Sequence, residues 1–302
     1  MNAPPAEWIF PPAVRPGDRV AVIAPSSPFD RGLVLRGMAF LKTRYDVRFE
    51  PTMFARAGYL AGTDARRLAE LEAAIGDPEI RAIVAARGGY GASRFVHDLD
   101  WRPFEAAPKW IVGFSDITAI HVELARRGFA SIHGPHVANV GRSDAAARAQ
   151  LVGALEFPRA RKTFDGLRVL APGNAVGPLV GGNLSLLHAS AAAGKLRLPA
   201  GCVLFVEDVG ERPYRVDRML TTLRLGGHFE GVAGIALGDF TQCDPGPDRT
   251  TITDVFHSAV GALGVPVVSG LPCGHEIRNE ALVLGSIAAL DATKTLGRLV
   301  VG

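Results

Sequence analysis

The chain is poor in the residues that staple, anchor or address a protein. It has three cysteines in 302 residues, Cys202, Cys243 and Cys273, widely spaced and with no C-x-x-C pair. An odd, scattered set supplies neither a disulfide framework nor a zinc knuckle. No H-E-x-x-H or comparable ligand spacing is present, so no metal and no cofactor is expected. No apolar run reaches the roughly 18 residues that a membrane helix needs. The start, Met1 to Trp8, lacks a basic segment leading into an apolar one, so no secretory leader is expected and the default compartment is the cytoplasm. A concentrated basic stripe is missing too. Lys and Arg total 33 against 30 Asp and Glu, a net +3, and pairs such as Arg66-Arg67 and Arg126-Arg127 are interleaved with acids. A nucleic-acid partner would ask for a basic face.

What is present describes an ordinary globular protein. Hydrophobic residues make up 48% and charged residues 21%. That is enough apolar area to offset the entropy of ordering without staples. At about 150 residues per domain, the length suggests two domains. Residues 1–18 are proline-rich and read as an extended arm. From Arg19 onward short apolar runs alternate with helical patterns. Strands are expected at Arg19 to Ala24, Val47 to Phe49, Ile80 to Ala86 and Trp110 to Phe114; helices at Leu33 to Tyr45, Asp64 to Ile75, Ala92 to Leu99 and Ile117 to Arg127. Such alternation means a parallel sheet covered on both faces. Around residues 156–174 it stops, with short strands at Thr163-Phe164 and Arg168 to Leu170 and a Pro-Gly turn, which reads as a linker. The expected division is 1–155, a linker at 156–174, and a β/α unit over 175–302. That unit would carry strands at Cys202 to Val206, Gly234 to Leu237 and Val267-Val268, and helices over Arg215 to Leu225 and near Ile252 to Leu263.

Four constellations carry polar chemistry. Gly113-Phe114-Ser115-Asp116 joins a strand to a helix, where a serine stands above the sheet beside helix N-terminal amides that can hold an oxyanion. The pattern departs from G-x-S-x-G, because Ile117 takes the last glycine position, and on this motif alone Ser115 or Asp116 as a plain N-cap is the favoured reading. Arg87-Gly88-Gly89-Tyr90-Gly91 is neither G-x-G-x-x-G nor a P-loop; it allows close backbone approach to a ligand, or is simply a tight turn. Both loops fall at carboxyl ends of strands, where open parallel sheets bind ligands. Glu207-Asp208 ends an apolar strand and is either an orienting carboxylate or a salt-bridge partner of Arg212, Arg215 or Arg218. Cys273-Gly274-His275-Glu276 offers a loop histidine as general base. Its competitors include His133 and His136 around Gly134-Pro135, whereas His121, His188 and His257 fall in or beside helical patterns.

Together these stretches resemble one family, the LD-carboxypeptidases: serine peptidases of the muramoyltetrapeptide carboxypeptidase and microcin C immunity protein type. The resemblance rests on Val22 to Ser26, Arg87 to Arg94, Gly113 to Ala119, Gly181 to Leu184, Glu207 to Val209 with Tyr214 to Leu220, and Gly274 to Glu276, in order and spacing over nearly the whole chain. It implies a nucleophile at Ser115, a carboxylate at Glu207 and a base at His275, with the backbone amides of Gly89 and Asp116 as the oxyanion hole. It also implies a flavodoxin-like, doubly wound amino-terminal domain, a smaller mixed β/α domain after it, and a homodimer. Arg87 is the candidate for binding a substrate's terminal carboxylate, with Tyr90 beside it.

The implied activity is hydrolysis of the amide bond to a terminal D-alanine of murein tetrapeptide through an acyl-enzyme, in peptidoglycan recycling. Two alternatives stand beside it. One keeps the triad but cleaves a peptide-nucleotide adduct of the microcin C kind, which would favour an aromatic shelf for the base; Val180 to Leu198 contains no Trp, Tyr or Phe. The other is a non-catalytic protein binding a nucleotide or small anion at the glycine-rich loop.

Overall fold

The computed structural model describes residues 7–261 and 263–302. The first six residues of the expected arm, and residue 262 of the helix expected near 252–263, lie outside them. The strands are β1 (Arg19–Ile23), β2 (Asp46–Arg48), β3 (Ile80–Ala85), β4 (Trp110–Gly113), β5 (Ser131–His133), β6 (Lys162–Ala171), β7 (Asn174–Asn183), β8 (Val203–Val209), β9 (Gly234–Thr241), β10 (Val267–Ser269), β11 (Leu282–Leu284), β12 (Ile287–Asp291) and β13 (Leu296–Val301). The helices are α1 (Arg31–Lys42), α2 (Asp64–Gly76), α3 (Arg102–Ala106), α4 (Thr118–Arg126), α5 (Val137–Val140), α6 (Ala145–Glu156), α7 (Leu184–Ala192), α8 (Pro213–Leu225) and α9 (Ile252–Gly261). The helix expected over Ala92 to Leu99 is only a 3-10 turn at Ala92–Arg94.

The first sheet has six strands in the order β11-β5-β4-β3-β1-β2. β1 to β5 are parallel, and β11 pairs antiparallel to β5. The two-residue period of a strand explains its two covered faces. Val20 and Val22 of β1 pack with Val34 and Met38 of α1, Val137 of α5 and Leu151 of α6. Ala21 and Ile23 turn the other way, onto Leu71 and Ile75 of α2, Phe104 of α3 and Ile120 of α4. Three of these helices open on side-chain caps: Asp30, Thr63 and Asp144 accept the amides of Leu33, Arg66 and Ala147.

The second sheet is a closed barrel of seven strands, β10-β6-β13-β12-β7-β8-β9. Its interior is filled by side chains such as Phe164, Leu179, Phe205, Leu290 and Leu299. Outside, α7, α8 and α9 cover one side through Leu187, Leu220 and Phe256. The sequence reading needs one correction here. Residues 162–171, taken as linker, form a ten-residue strand paired with β13 and β10. Gly166 has φ +73 and lies where the pairing with β13 slips register, with Asp165 opposite Arg298 but Leu167 opposite Gly297. The bulge sets Phe164 and Leu167, both in the barrel interior, three positions apart, while Leu170 is buried on the outer face with the helices, so the two-residue alternation is hidden. The two sheets are stitched together near the end of the chain. Val283 of β11 joins the core of the first sheet, while Leu282 and Leu284 join that of the barrel. At β7 the barrel meets the start of α4, where the Asn183 amide donates to Thr118 Oγ1 at 3.0 Å.

Candidate active site

β4 is buried along its length and delivers the chain to Ser115 at the carboxyl end of this interior strand. Ser115 has φ +59, one of three non-glycine residues with positive φ among the described residues. That conformation costs an L-residue roughly 1–2 kcal/mol and turns the strand sharply into the helix that follows. Neither Ser115 nor Asp116 caps that helix through its side chain. Asp116 instead points back into the core, where Ser26 Oγ and the Ala92 amide donate to its carboxylate at 2.6 and 2.8 Å. Burial pushes the Asp116 carboxyl up, against the pull of those two donors. The Asp116 side chain therefore ties the loop after β1 and the end of the glycine loop to the serine turn.

The Gly88-Gly89 loop is pressed onto this turn. A Cβ built on Gly88 would lie 2.9 Å from Ser115 Cβ and 3.2 Å from Ser115 Oγ. One built on Gly89, at φ +108, would strike Ser27 Oγ at 2.4 Å. Only glycine allows both the close approach and the positive φ. Ser27 braces the loop: its amide donates to the Gly88 carbonyl at 3.2 Å and its Oγ accepts the Tyr90 amide at 3.1 Å. Among the described residues, the amides of Gly89 and Asp116 donate to no protein acceptor.

Glu207 and His275, 68 residues apart, meet at 2.7 Å between Oε2 and Nδ1. Glu207 follows Val203 and Phe205 along the interior face of β8, and the β8–β9 pairing slips register between Val206 and Asp208. The neighbouring Asp208 faces α7 and accepts from Asn183 Nδ2, Ser185 N and Ser185 Oγ, and among the described residues no arginine binds either acid. The Glu207 side chain is fully buried and that of His275 is 17% exposed. Burial pushes the Glu207 carboxyl up, and the imidazole opposes that shift. Because the carboxylate can only accept, a neutral His275 places its proton on Nδ1 and leaves Nε2 free as an acceptor. The imidazole lies edge-on to the ring of Phe114, centroids 4.9 Å apart, so it stands beside the residue that precedes Ser115. No hydrogen bond joins it to Ser115 Oγ among the described residues; such bonds often tighten only in the substrate complex.

The remaining sequence candidates are placed as follows. Arg87 and Tyr90 are exposed on the glycine loop. Arg87 Nη1 donates to the Pro28 carbonyl at 2.5 Å, and the Tyr90 ring leans on Tyr59 with centroids 5.9 Å apart. His121 is buried against the Gly113 carbonyl, and His133 is buried between Phe114 and Phe205. His136 is buried between the serine turn and the glycine loop. A cavity of about 630 Å³ opens elsewhere, along α6 and residues 278–286, and touches none of these groups. Among the described residues no cluster of three or more His, Cys, Asp or Glu is arranged to hold a metal ion, and no helix is long and apolar enough to cross a membrane.

Known proteins share both halves of this arrangement. The LD-carboxypeptidase N-terminal domain model matches residues 20–134, and the LD-carboxypeptidase C-terminal domain model matches residues 176–290. The chain belongs to the LD-carboxypeptidase family. It is accordingly a serine-type peptidase. It is 33% identical to the murein tetrapeptide carboxypeptidase of Pseudomonas aeruginosa, over 91% of this chain and 94% of that one. The crystal structure of muramoyltetrapeptide carboxypeptidase from Oxalobacter formigenes superposes with a TM-score of 0.85 at 28% identity, covering 94% of this chain and 98% of that one. A microcin C7 self immunity protein, solved in complex with aspartyl sulfamoyl adenosine, gives a TM-score of 0.85 over 97% of this chain and 99% of that one. At 21% identity that likeness shows the fold alone.

In this LD-carboxypeptidase the motif reading missed one acid. A Cβ built on Gly274 would lie 3.0 Å from Asp239 Cβ, 3.2 Å from Glu207 Oε2 and 3.3 Å from Asp239 Oδ2, so two carboxyl groups crowd the backbone beside His275. Burial, then the charges of Glu276 and Glu207, push Asp239 up to about 6. An unfolded aspartate titrates near 3.9. Between those values the folded chain holds the extra proton, so stability falls as pH rises through the window, and the cost persists above it. Asp239→Asn removes that cost. Its Tm is expected to exceed the wild-type value at pH 7.5 and to match it near pH 4. Calorimetry at both pH values checks this; an equal difference at both would refute the assignment.

Proposed function

We propose that the protein removes the terminal D-alanine from murein tetrapeptide, with Ser115 as nucleophile, His275 as general base and Glu207 as the carboxylate that orients it. The observation that carries this reading is the Glu207–His275 pair standing edge-on to Phe114, next to a serine held at positive φ under two unbonded amides. In the first step His275 Nε2 takes the Ser115 hydroxyl proton as Oγ bonds to the carbonyl carbon of the third residue. The amides of Gly89 and Asp116 receive the negative charge on the carbonyl oxygen. Collapse breaks the C–N bond, and His275 returns its proton to the departing D-alanine nitrogen. Water then adds to the acyl-enzyme, gives a proton to His275, and releases the tripeptide acid and the free serine. The substrate ends in a carboxylate, and Arg87 and Tyr90, exposed on the loop that carries Gly89, are the residues we assign to it.

The same reading takes the first sheet as flavodoxin-like and doubly wound; supporting it are the strand order β2-β1-β3-β4-β5 and helices over both faces. It makes the chain two units, the nucleophile on the first and the Glu and His on the second, which begins with β6. A cytoplasmic location and a homodimer belong to the same proposal. Against a peptide-nucleotide substrate stands the lack of any Trp, Tyr or Phe between Val180 and Leu198, the stretch that ends β7 and forms α7.

The test is direct. L-Ala-γ-D-Glu-meso-diaminopimelate-D-Ala is expected to give D-alanine and the tripeptide by mass spectrometry. The same peptide with its D-alanine amidated is expected to turn over at least tenfold more slowly. No D-alanine release, or turnover of a processed microcin alone, would overturn the substrate assignment.

A further inference from the structure

His136 is used by no step above, yet it sits at the centre of the site. It is 3% exposed, on the segment between β5 and α5. That segment crosses beneath both loops. The Gly134 amide donates to the Gly113 carbonyl at the end of β4, 3.1 Å, and the Ala138 amide donates to the Ala86 carbonyl just past β3, 3.0 Å. Between these two ties the imidazole reaches both walls. The Gly88 amide points its N–H at Nδ1 and the Phe114 amide points its N–H at Nε2, each at 3.2 Å, and Nε2 also lies 2.9 Å from the Phe114 carbonyl oxygen. Both amides can only donate and a neutral ring has one bare nitrogen; Nε2 alone also faces an acceptor, so Nδ1 is the bare nitrogen and Nε2 carries the proton. Its acceptor is then the Phe114 carbonyl. Burial lowers the imidazole to about 3, so it stays neutral and keeps this tautomer at ordinary pH. The ring also stacks on Phe114, centroids 4.2 Å apart and planes 23° apart, and that phenyl ring in turn meets His275 at 4.9 Å, with His133 against it at 5.9 Å.

We propose that His136 is a positioning residue that fixes the distance between the two halves of the oxyanion hole and, through the Phe114 ring, the seat of the His275 imidazole. Gly88 precedes Gly89, and Phe114 precedes Ser115 and Asp116. One rigid, uncharged ring thus bonds to the residue before each element that must converge on the reacting carbonyl. A heterocycle suits this place because it presents one acceptor and one donor at a fixed separation. An amide side chain of the right length keeps only one of the two: asparagine can place its oxygen where Nδ1 lies, and glutamine its NH₂ where Nε2 lies.

The proposal rests on the serine-peptidase reading, so its test uses two readouts. The first is steady-state D-alanine release by the wild type, His136→Asn, His136→Gln and His136→Ala. The second is the rate at which an alkyl fluorophosphonate phosphonylates the serine. That reaction needs the nucleophile, base and oxyanion hole but not the peptide. His136→Ala is expected to lose about 100-fold in kcat, the scale of one oxyanion donor, with KM within about twofold. His136→Asn and His136→Gln are expected to lose about tenfold each, and the phosphonylation rates to follow the same order. If Ala does not fold, judged by its thermal transition, the Asn and Gln variants carry the test. Overturning results are a His136→Ala enzyme within about threefold of wild type in both readouts, a loss confined to KM, or folded Asn, Gln and Ala variants that all lose equally. If the wild type is phosphonylated but releases no D-alanine, the substrate assignment fails while the phosphonylation series still decides the role of His136. If the wild type does neither, the serine reading fails and this proposal falls with it.

Discussion

Ser115→Ala is expected to abolish D-alanine release, with kcat falling by roughly 10⁴- to 10⁶-fold, the loss typical of removing a serine nucleophile. Peptide affinity, measured by calorimetry, is expected to stay within about threefold, because the missing oxygen forms its bond only after binding. The backbone supplies an independent check. At φ +59 the site suits glycine better than any residue with a Cβ. Ser115→Gly should therefore be as inactive as Ser115→Ala but more stable by about 1 kcal/mol. A glycine variant no more stable than the alanine one would mean that the turn carries no such strain. An alanine variant retaining more than about a hundredth of wild-type turnover would remove Ser115 from the chemistry.

Glu207→Gln carries the second largest expected loss, about 10³- to 10⁴-fold in kcat, with little change in KM. The carboxylate can only accept, which fixes the His275 proton on Nδ1. A glutamine can turn its NH₂ toward Nδ1; the proton then moves to Nε2, the nitrogen that has to receive the serine proton. Stability is expected to go the other way. Glu207 is wholly buried and its carboxyl is pushed up by that burial, so the native state pays for the charge once pH rises above the ordinary carboxylate range. The glutamine variant should match or exceed the wild-type Tm at pH 7.5 and lose any such advantage in acid. Joint measurement of kcat and Tm separates this account from a structural one, in which both would fall.

The pieces legible in the sequence are those whose signal is local. Apolar runs stopped by Pro25, by Arg87-Gly88 and by Ser115 mark β1, β3 and β4 because these strands are buried on both faces. The serine turn and the glycine loop follow them immediately, so their placement at carboxyl ends of strands could be read without coordinates. The resemblance added the partners that local reading left open, since nothing in Glu207-Asp208 by itself separates an orienting acid from a salt bridge. Other features depend on contacts between distant segments. Gly166 disguises β6 by putting two residues instead of one between the buried Phe164 and Leu167. β11 is three residues long and leaves the barrel portion of the chain to extend the first sheet. Asp239 enters the site at the register slip of β9 against β8, where no motif points to it. His136 stood among several candidate bases, and only its two bonded nitrogens distinguish a ring that holds the loops from one that moves protons.

The account stands or falls on whether the hydroxyl at 115 is the group that His275 and Glu207 activate. Peptide mapping after inactivation with an alkyl fluorophosphonate asks this most directly. A single adduct on the peptide containing Ser115, suppressed by excess tetrapeptide and slowed at least 100-fold in Glu207→Gln, is the predicted result. An adduct on a different residue, or equal labelling of the wild type and Ser115→Ala, would contradict it.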